Sequence, residues 1–399
     1  MTSNRYPAPS LLAPLAATFA MQTLVSAVMF GVAVVAPVAA PDLGLDPALI
    51  GAFMAVAYSF GTLAGLMTGA LARRTGETWV CQLLLLSTAA GGALLALGTP
   101  LAAVAAAVLL GLGYGPVNPV TTDILSRVSP PARRPLVLSI KQTGMPAGAA
   151  ISGVLLPALS ERYNWETALL VLAGACALLA VGMGVLRVAM DAPKQAGRSS
   201  PAAAITAPLE LIRKTATLSR LAVCGLIFAG TQVAIATYFV VYLTEQLAIS
   251  LTHAGLAFTV LQLSAVAGRL LWGAVASSRV GGATVLPALG MATAVVTLLL
   301  AQLTPASPHW ALLLLAAALG ASSHGWNGVY FAEVARVAPA GRVSDAAGGV
   351  QFASLAGVAV TPPAFAAVAL VAGYPFAFAS LALCAGLVSV FLWRARTST

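Results

Sequence analysis

The sequence predicts an all-α membrane protein with twelve transmembrane helices, divided into two pseudo-symmetric six-helix bundles. Its 399 residues are 60% hydrophobic and only 8% charged, whereas a soluble domain has about 25% charged residues. The apolar segments run for roughly 20 residues without interruption, which is the length of a membrane-spanning helix, and they lack the alternation of barrel strands. The second half of the chain also repeats the polar pattern of the first half.

The repeat is clearest between residues 110–148 and 319–357, which align at a constant offset of 209. Each copy holds an asparagine within an apolar segment, then a basic turn with proline, then a second small-residue segment with a glutamine. The aligned pairs are Gly111 and Gly320, Asn118 and Asn327, Val120 and Val329, Arg127 and Arg336, Pro130 and Pro339, Gln142 and Gln351, and Gly148 and Gly357. A duplicated polar pair within apolar helices is typical of a carrier whose central site lies between two halves.

Twelve apolar segments are joined by short connections, with one longer connection that is polar and basic. The predicted spans are residues 11–38, 48–72, 79–98, 101–127, 135–159, 165–188, 217–243, 252–277, 283–303, 310–335, 344–370 and 373–394. The long connection divides the chain into a first bundle of residues 1–190, a linker of residues 191–216 and a second bundle of residues 217–399. The first apolar segment is too long for the core of a cleaved signal peptide, so we expect it to be retained.

Basic residues predict the orientation. Of the 20 Lys and Arg residues, all but Arg162, Lys141 and Arg269 fall on one side of the predicted spans. Because loops rich in Lys and Arg remain in the cytoplasm, we expect both termini there, in a multi-pass protein of the inner (plasma) membrane. The net charge of +9 therefore indicates membrane topology. It does not indicate a nucleic-acid partner, and the surface partner we expect is the lipid bilayer.

Motifs for catalysis, cofactors or metals do not occur in the sequence. We find no HExxH, GxSxG or Walker A pattern. The four cysteines lie in apolar stretches without CxxC spacing, which is typical of small core residues; they are Cys81, Cys176, Cys224 and Cys384. The sequence predicts neither an enzyme nor a cofactor or metal site.

A short basic motif follows the second span of each half. Residues 69–76 read GALARRTG, and residues 273–282 read GAVASSRVGG. With twelve spans in a 6+6 arrangement and a long middle loop, this motif resembles the major facilitator superfamily, whose usual loop is Gly-x-x-x-Asp-Arg-x-Gly-Arg. Here Arg73 stands at the acidic position and Glu77 at a basic one, while Arg74 matches. The resemblance implies that this loop takes part in gating.

Arg269 lies within the eighth predicted span, ten residues before Arg279, and therefore about 15 Å deep. The run from Arg269 to Gly273 resembles the Arg-x-x-x-Gly of oxalate–formate antiporters and monocarboxylate transporters, in which the arginine binds the substrate carboxylate. The planar guanidinium suits that task because it can pair with both carboxylate oxygens. The alternative is a structural arginine bonded to backbone or to a neighbouring helix.

Lys141 lies seven residues into the fifth predicted span, next to Gln142. A buried ammonium without a partner is costly, so we expect an anion beside it. The two candidates are the substrate and Asp123 on the preceding span, and the sequence does not decide between them.

Two acid–base pairs occur near the predicted cytoplasmic ends of spans 4 and 10. Asp123 and Arg127 are spaced i, i+4, whereas Glu333 and Arg336 are spaced i, i+3. They resemble the charge relays that hold superfamily carriers closed on the inside, so gating is the expected role and proton coupling the alternative. His324 also titrates in a suitable range for coupling, although a hydrogen-bonded structural histidine is the simpler interpretation.

The remaining polar residues at mid-depth describe a small cavity. Asn118 and Asn327 are the duplicated pair. The further candidates for substrate contact are Tyr114, Tyr330, Gln262, Gln351 and Tyr58; Gln22, Gln232, Tyr238 and Trp326 lie at similar depth. Large aromatic residues are sparse and no acid lies clearly at the midplane, so a small anion is favoured over a lipophilic cation.

These observations predict a secondary transporter of a small organic anion, a carboxylate, that works by alternating access with proton symport. Arg269 and Lys141 would compensate the substrate's charge. An exporter of drugs or metabolites on the same fold is the alternative, and a non-transporting membrane receptor is a third hypothesis. A monomer is sufficient for this architecture.

Overall fold

A computed structural model describes residues 11–130, 133–191, 201–339 and 342–397. The described residues form helices joined by short turns, with no β-strand among them. The α-helices, in chain order, are α1 (Leu12–Asp42), α2 (Ile50–Thr75), α3 (Glu77–Leu95), α4 (Pro100–Tyr114), α5 (Val117–Val128), α6 (Arg134–Gln142), α7 (Gly144–Arg162), α8 (Trp165–Met183), α9 (Arg187–Met190), α10 (Pro201–Lys214), α11 (Ala216–Glu245), α12 (Leu251–Ser277), α13 (Gly282–Ala301), α14 (His309–Ser323), α15 (Trp326–Val337), α16 (Val343–Ala372) and α17 (Tyr374–Thr397).

The predicted fold class is confirmed. Eleven segments of the described chain are long and apolar enough to cross a membrane. The remaining predicted span, residues 310–335, is present as two shorter helices, α14 and α15, because the chain breaks at His324 and Gly325.

Two other predicted spans are also divided. The fourth span breaks between α4 and α5 at Gly115 and Pro116, where proline supplies no backbone N–H to continue the helix. The fifth span breaks at Thr143, between α6 and α7. The breaks place Asn118, Lys141 and Asn327 within about one turn of an irregular backbone segment. Irregular backbone within membrane-spanning helices is tolerated where it is buried in protein or lines a cavity.

The two ends of the helical bundle differ in charge. At one end, the α2–α3, α5–α6 and α12–α13 junctions carry Arg74, Arg127 and Arg279; we name it the basic end. The opposite end holds the α1–α2, α7–α8 and α11–α12 junctions; we name it the far end. This asymmetry follows the distribution of arginine that the sequence displays.

The two halves pack tightly against each other toward the far end. Gly153 of α7 lies so close to Gly255 of α12 that an added Cβ on Gly255 would overlap the Gly153 carbonyl. On the other side of the bundle, an added Cβ on Gly51 would lie 2.6 Å from the Pro362 carbonyl oxygen. Glycine is required at such positions because two helix backbones touch directly.

Three hydroxyl groups of the second half donate hydrogen bonds to the first half in this region. The Thr259 hydroxyl donates to the Ala150 carbonyl at 2.9 Å, and the Tyr238 hydroxyl donates to the Ala48 carbonyl at 2.9 Å. Thr252 donates to the carboxylate of Glu161. These bonds and the close glycine contacts close the far end of the interface.

The linker contains a helix, α10, that the sequence analysis does not predict. It packs against α11 and α16 of the second half, where Leu211 is buried. The Ser219 hydroxyl also donates to the Ile212 carbonyl at 2.6 Å, which holds the end of α10 against the start of α11. The helical part of the linker is therefore attached to the second half.

Candidate functional site

A cavity of about 730 Å³ lies between the two halves. Its wall is formed by α1, α2, α4, α5 and α7 of the first half and by α11, α15 and α16 of the second half. It extends from the middle of these helices to Ala72, Asp123 and Ser126 near the basic end. Among the described residues, the halves are packed together at the far end, whereas the cavity wall continues to the basic end.

Six residues from the predicted site lie in the cavity wall: Asn118, Asn327, Tyr114, Tyr58, Gln351 and Asp123. They come from both halves and from five helices. Tyr58 and Tyr114 form an edge-to-face pair with ring centroids 5.8 Å apart, and Tyr114 packs in the same way against Phe30 at 6.3 Å. Asp123 is the one charged side chain among the described residues that line the cavity.

Other residues of the predicted site lie behind the wall or away from it: Arg269, Lys141, Gln142, Tyr330, Gln262 and His324. The Tyr330 hydroxyl, for example, donates to the Leu221 carbonyl at 2.9 Å. That contact joins α15 to α11 and gives Tyr330 a place in the packed interior. Tyr238, similarly, is part of the closed far end.

Lys141 lies directly behind the wall on α6 and is fully buried. Its ammonium donates to the Asn118 amide oxygen at 2.5 Å, to the Thr122 hydroxyl at 3.2 Å and to the Gln142 amide oxygen at 3.2 Å. No carboxylate of the described chain lies within 4 Å of it, so Asp123 is not its partner. The charge is solvated by neutral oxygens, two of which belong to cavity residues.

Arg269 lies at the contact between α12 and the α14–α15 break. Its Nε–H donates to the His324 carbonyl at 3.2 Å, and Trp272 Nε1 donates to the Ala321 carbonyl at 3.0 Å. Both bonds satisfy carbonyls near the end of α14 that lack a helical partner. Within the described residues, Arg269 has no carboxylate within 4 Å.

His324 belongs to the same junction. It is buried, and one ring nitrogen lies 2.8 Å from the Ser323 hydroxyl. Neither side chain lines the cavity, although Trp326, which follows closely in the chain, does. This histidine therefore has a local hydrogen-bonding partner at the helix break.

Gln232 of α11 links three polar groups of the second half. Its amide oxygen accepts from Trp326 Nε1 at 2.9 Å and from Asn327 Nδ2 at 3.1 Å. All three residues line the cavity. This network supports the side of the wall opposite Asn118.

Two of the ion pairs at the basic end involve the arginines of the predicted gate, and only one of them joins the residues that spacing suggests. Arg336 forms two bonds to Glu333, at 2.9 Å and 2.5 Å, within α15. Arg127 instead pairs with Glu77 of α3 at 2.9 Å and donates to the Met190 carbonyl at 2.8 Å. The Asp123–Arg127 pair is absent from the described contacts because Arg127 turns toward α3.

The α2–α3 loop is close to this ion pair. Glu77 is buried, whereas Arg73 and Arg74 are exposed. Asp191 accepts the Thr78 backbone N–H at 2.7 Å, which provides a free N–H at the start of α3 with a carboxylate partner. The loop is thus attached to α5 and to the end of α9, both in the first half.

Several wall residues are missing from the sequence prediction. On α5, Thr122 and Ser126 follow Asn118 at steps of four residues, which places them on one helix face. On α2, Tyr58, Thr62 and Leu66 follow the same rule. This periodicity is the feature of the sequence from which these wall residues could have been predicted. The described residues contain no group of His, Cys, Asp and Glu that could hold a metal ion.

Comparison with known proteins indicates a family. A sequence profile described as Major Facilitator Superfamily matches residues 18–306 and again residues 221–399. Two uncharacterized MFS-type transporters of Mycobacterium tuberculosis, from strains CDC 1551 and H37Rv, are 28% identical over 163 residues. Those matches cover 41% of this chain, and the chain spans 35% of the length of each relative.

Solved structures share the fold over nearly the whole chain. A POT family transporter in complex with 5-aminolevulinic acid has a TM-score of 0.77 at 14% identity, covering 95% of both chains. A bacterial homolog of the human lysosomal transporter Spinster, in an inward-facing and occupied conformation, has a TM-score of 0.76 at 14% identity over 98% of both chains. A peptide transporter POT in complex with sulfate has a TM-score of 0.77 at 17% identity, covering 96% of this chain and 94% of that one.

Proposed function

Because this chain belongs to the major facilitator superfamily of transporters, we propose that it is a secondary transporter of a small organic anion, a carboxylate. The substrate would bind in the cavity between the two halves. Uptake or release would follow from alternating access, in which the halves rock about that site.

The observation that supports an anion is a pair of cations just outside the cavity wall, the buried Lys141 and the partly buried Arg269. Lys141 in the first half and Arg269 in the second half have only neutral partners among the described residues. Charges in a medium of low dielectric constant act over longer distances than charges in water. Their combined field favours an anion in the cavity, and the carboxylate of Asp123 lies at its open end.

The conformation supports a cycle of opening and closing at the two ends. With the basic end in the cytoplasm, as the positive-inside rule favours, the cavity is inward-facing and both termini are cytoplasmic. The membrane would be the inner (plasma) membrane. Closing the cytoplasmic side requires the two halves to approach at the basic end, where the Glu77–Arg127 and Glu333–Arg336 pairs lie, and the loop at Arg73 and Arg74 would take part.

We assign proton coupling to Asp123, because it is the carboxylate exposed in the cavity wall. A carboxylate that gains a proton loses its charge and with it any repulsion of an anionic substrate. We expect Asp123→Asn in proteoliposomes to abolish acceleration by an inward proton gradient while leaving exchange of substrate across the membrane. Continued acceleration by the gradient in this variant would contradict the assignment.

The test of the anion proposal is ligand binding followed by flux. Purified protein would be heated with a panel of small carboxylates, neutral solutes and lipophilic cations. A ligand at 100 times its dissociation constant should add about 2.7 kcal/mol of stability. Stabilisation by carboxylates, and uptake of the same compounds into proteoliposomes, is the expected result.

A drug or metabolite exporter is the second candidate, and one observation favours it. Most of the cavity wall is apolar, and its one charged side chain, Asp123, is acidic. Stabilisation by tetraphenylphosphonium, without stabilisation by any carboxylate, would favour this candidate and reject the anion carrier.

A further inference from the structure

Three amide side chains of the cavity wall are held by partners that fix which way each amide faces. An amide has an oxygen that accepts and a nitrogen that donates, and the two ends are distinguished only by their hydrogen bonds. Where the partner can only donate, the amide must present its oxygen to that partner. The opposite end of the amide is then determined by chemistry.

Asn118 is the first case. Lys141 can only donate, so its 2.5 Å bond must be to the amide oxygen of Asn118. The Thr122 hydroxyl donates to the same oxygen at 3.4 Å. The Nδ2 group has no acceptor among the described residues, and Asn118 is exposed in the cavity wall. Asn118 therefore offers N–H donors to the cavity.

Gln232 is the second case. The indole of Trp326 can only donate, so its 2.9 Å bond must be to the amide oxygen of Gln232. Asn327 Nδ2 donates to the same oxygen at 3.1 Å. The Nε2 group of Gln232 has no acceptor in the described part of the chain. This residue therefore offers N–H donors from the second half.

Asn327 faces the opposite way. Its nitrogen is used by Gln232, so its oxygen is the end that remains without a hydrogen bond to the described residues. The wall thus offers donors from Asn118 and Gln232 and one acceptor from Asn327.

We propose that Asn118 and Gln232 bind the two oxygens of the substrate carboxylate, one from each half of the protein. Lys141 is a positioning residue: it fixes the Asn118 amide and, by drawing electron density toward the amide oxygen, makes the Nδ2 hydrogens stronger donors. This inference rests on the proposed function, since it names the contacts through which the anion carrier would hold its substrate.

The acceptor on Asn327 extends the proposal to the rest of the substrate. A ligand that donates a hydrogen bond near its carboxylate would satisfy Asn327 Oδ1, whereas an unsubstituted acid would leave that oxygen without a partner. The remaining wall includes apolar side chains such as Phe30, Val233 and Phe331. The substrate class is a carboxylate with a nearby hydroxyl or ammonium group and an apolar remainder.

The test uses substitutions that keep the network and remove only the donors. Asn118→Asp retains an oxygen for Lys141, and Gln232→Glu retains an oxygen for Trp326 and Asn327. Each replaces the amide nitrogen with an acceptor. The charge-matched comparison is Gln142→Glu, which places the same carboxylate beside the same ammonium but behind the wall. The probes are 3-phenyllactate, its hydroxyl-free counterpart 3-phenylpropionate, and tetraphenylphosphonium, measured by calorimetry and thermal stabilisation on the purified full chain.

We expect wild-type protein to bind 3-phenyllactate at least about tenfold more tightly than 3-phenylpropionate. Asn118→Asp and Gln232→Glu should each weaken 3-phenyllactate binding by about 100-fold or more, because a donor to an anion is replaced by a like charge. Gln142→Glu should bind at least about tenfold more tightly than Asn118→Asp. The ligand-free variants should unfold no earlier than wild type, since the network oxygens remain.

Each other outcome is decisive. If wild type binds the carboxylates and the two wall variants bind them equally well, the amide contacts are wrong and the anion carrier stands. If Gln142→Glu loses as much affinity as Asn118→Asp, the carboxylate is bound through the charge of Lys141 and not through the Asn118 N–H donor. If wild type binds tetraphenylphosphonium and neither carboxylate, the proposed function fails and the amide contacts fail with it.

Discussion

The duplicated asparagines occupy equivalent positions in the two halves, yet they are held in opposite orientations. Asn118 uses its oxygen to bind Lys141, whereas Asn327 uses its nitrogen to bind Gln232. At the offset of 209, Lys141 aligns with Val350 and Thr122 aligns with Phe331. The residues that hold Asn118 are therefore replaced by apolar residues in the second half.

The difference shows that the repeat preserves the backbone while the chemistry of each half has diverged. Arg269 aligns with Gly65 at the offset of 204 that relates the opening spans, and His324 aligns with Gly115 at 209. The buried Lys141 of the first half and the partly buried Arg269 of the second half therefore lie at different places in the repeat. A substrate without two-fold symmetry requires different groups from the two halves, and this divergence supplies them.

The largest loss of carboxylate affinity is expected when the cation that holds Asn118 is removed. We expect Lys141→Met to weaken carboxylate binding by about 100-fold, because the Asn118 amide loses the donor that fixes it. The ligand-free protein should melt at the same temperature or higher, since a buried ammonium with neutral partners carries a desolvation penalty that methionine lacks. Calorimetry and thermal melting would measure both. Loss of stability with unchanged binding would mean that Lys141 is purely structural.

A smaller effect is expected from the cation of the second half. Arg269 lies outside the cavity wall, so we expect it to act on a bound carboxylate through its charge. Arg269→Met should then weaken carboxylate binding by about tenfold. Trp272→Phe is the matched control, because it removes one bond to a carbonyl at the same helix break without changing charge. Equal losses in the two variants would assign the effect to disruption of the α14–α15 break. A complete loss in Arg269→Met alone would indicate direct contact with the substrate.

The smallest effects are expected on thermal stability, from removing the acid of either of two ion pairs at the basic end. Glu77 joins α3 to α5 through Arg127, whereas Glu333 and Arg336 belong to one turn of α15. We expect Glu77→Gln to lower the melting temperature by about 2–4 °C and Glu333→Gln to lower it by less than about 1 °C. Thermal melting without ligand would measure both. A larger loss in Glu333→Gln would show that the local pair carries the greater stability.

Sequence reasoning found the cavity's duplicated residues but misjudged what surrounds several of them. Asn118, Asn327, Tyr58 and Tyr114 line the cavity, and their contact with a substrate stays a prediction. Lys141 is not paired with Asp123: its hydrogen-bond acceptors are the side-chain oxygens of Asn118, Thr122 and Gln142. The sequence predicted that Lys141 lies within a span and needs a partner. It could not predict which way the side chain points, because that direction depends on the helix break at Thr143.

Hydropathy, charge and internal repetition are properties of the chain taken in order, and they determined the membrane class, the number of spans and the residues with unusual polarity. Contacts between distant segments are not encoded in that order. Trp326 and Gln232 are separated by 94 residues and meet at 2.9 Å, while Arg127 reaches Glu77 across 50 residues. Only the tertiary structure decided which way the amides of Asn118 and Gln232 face, because a donor-only partner from another helix sets each orientation.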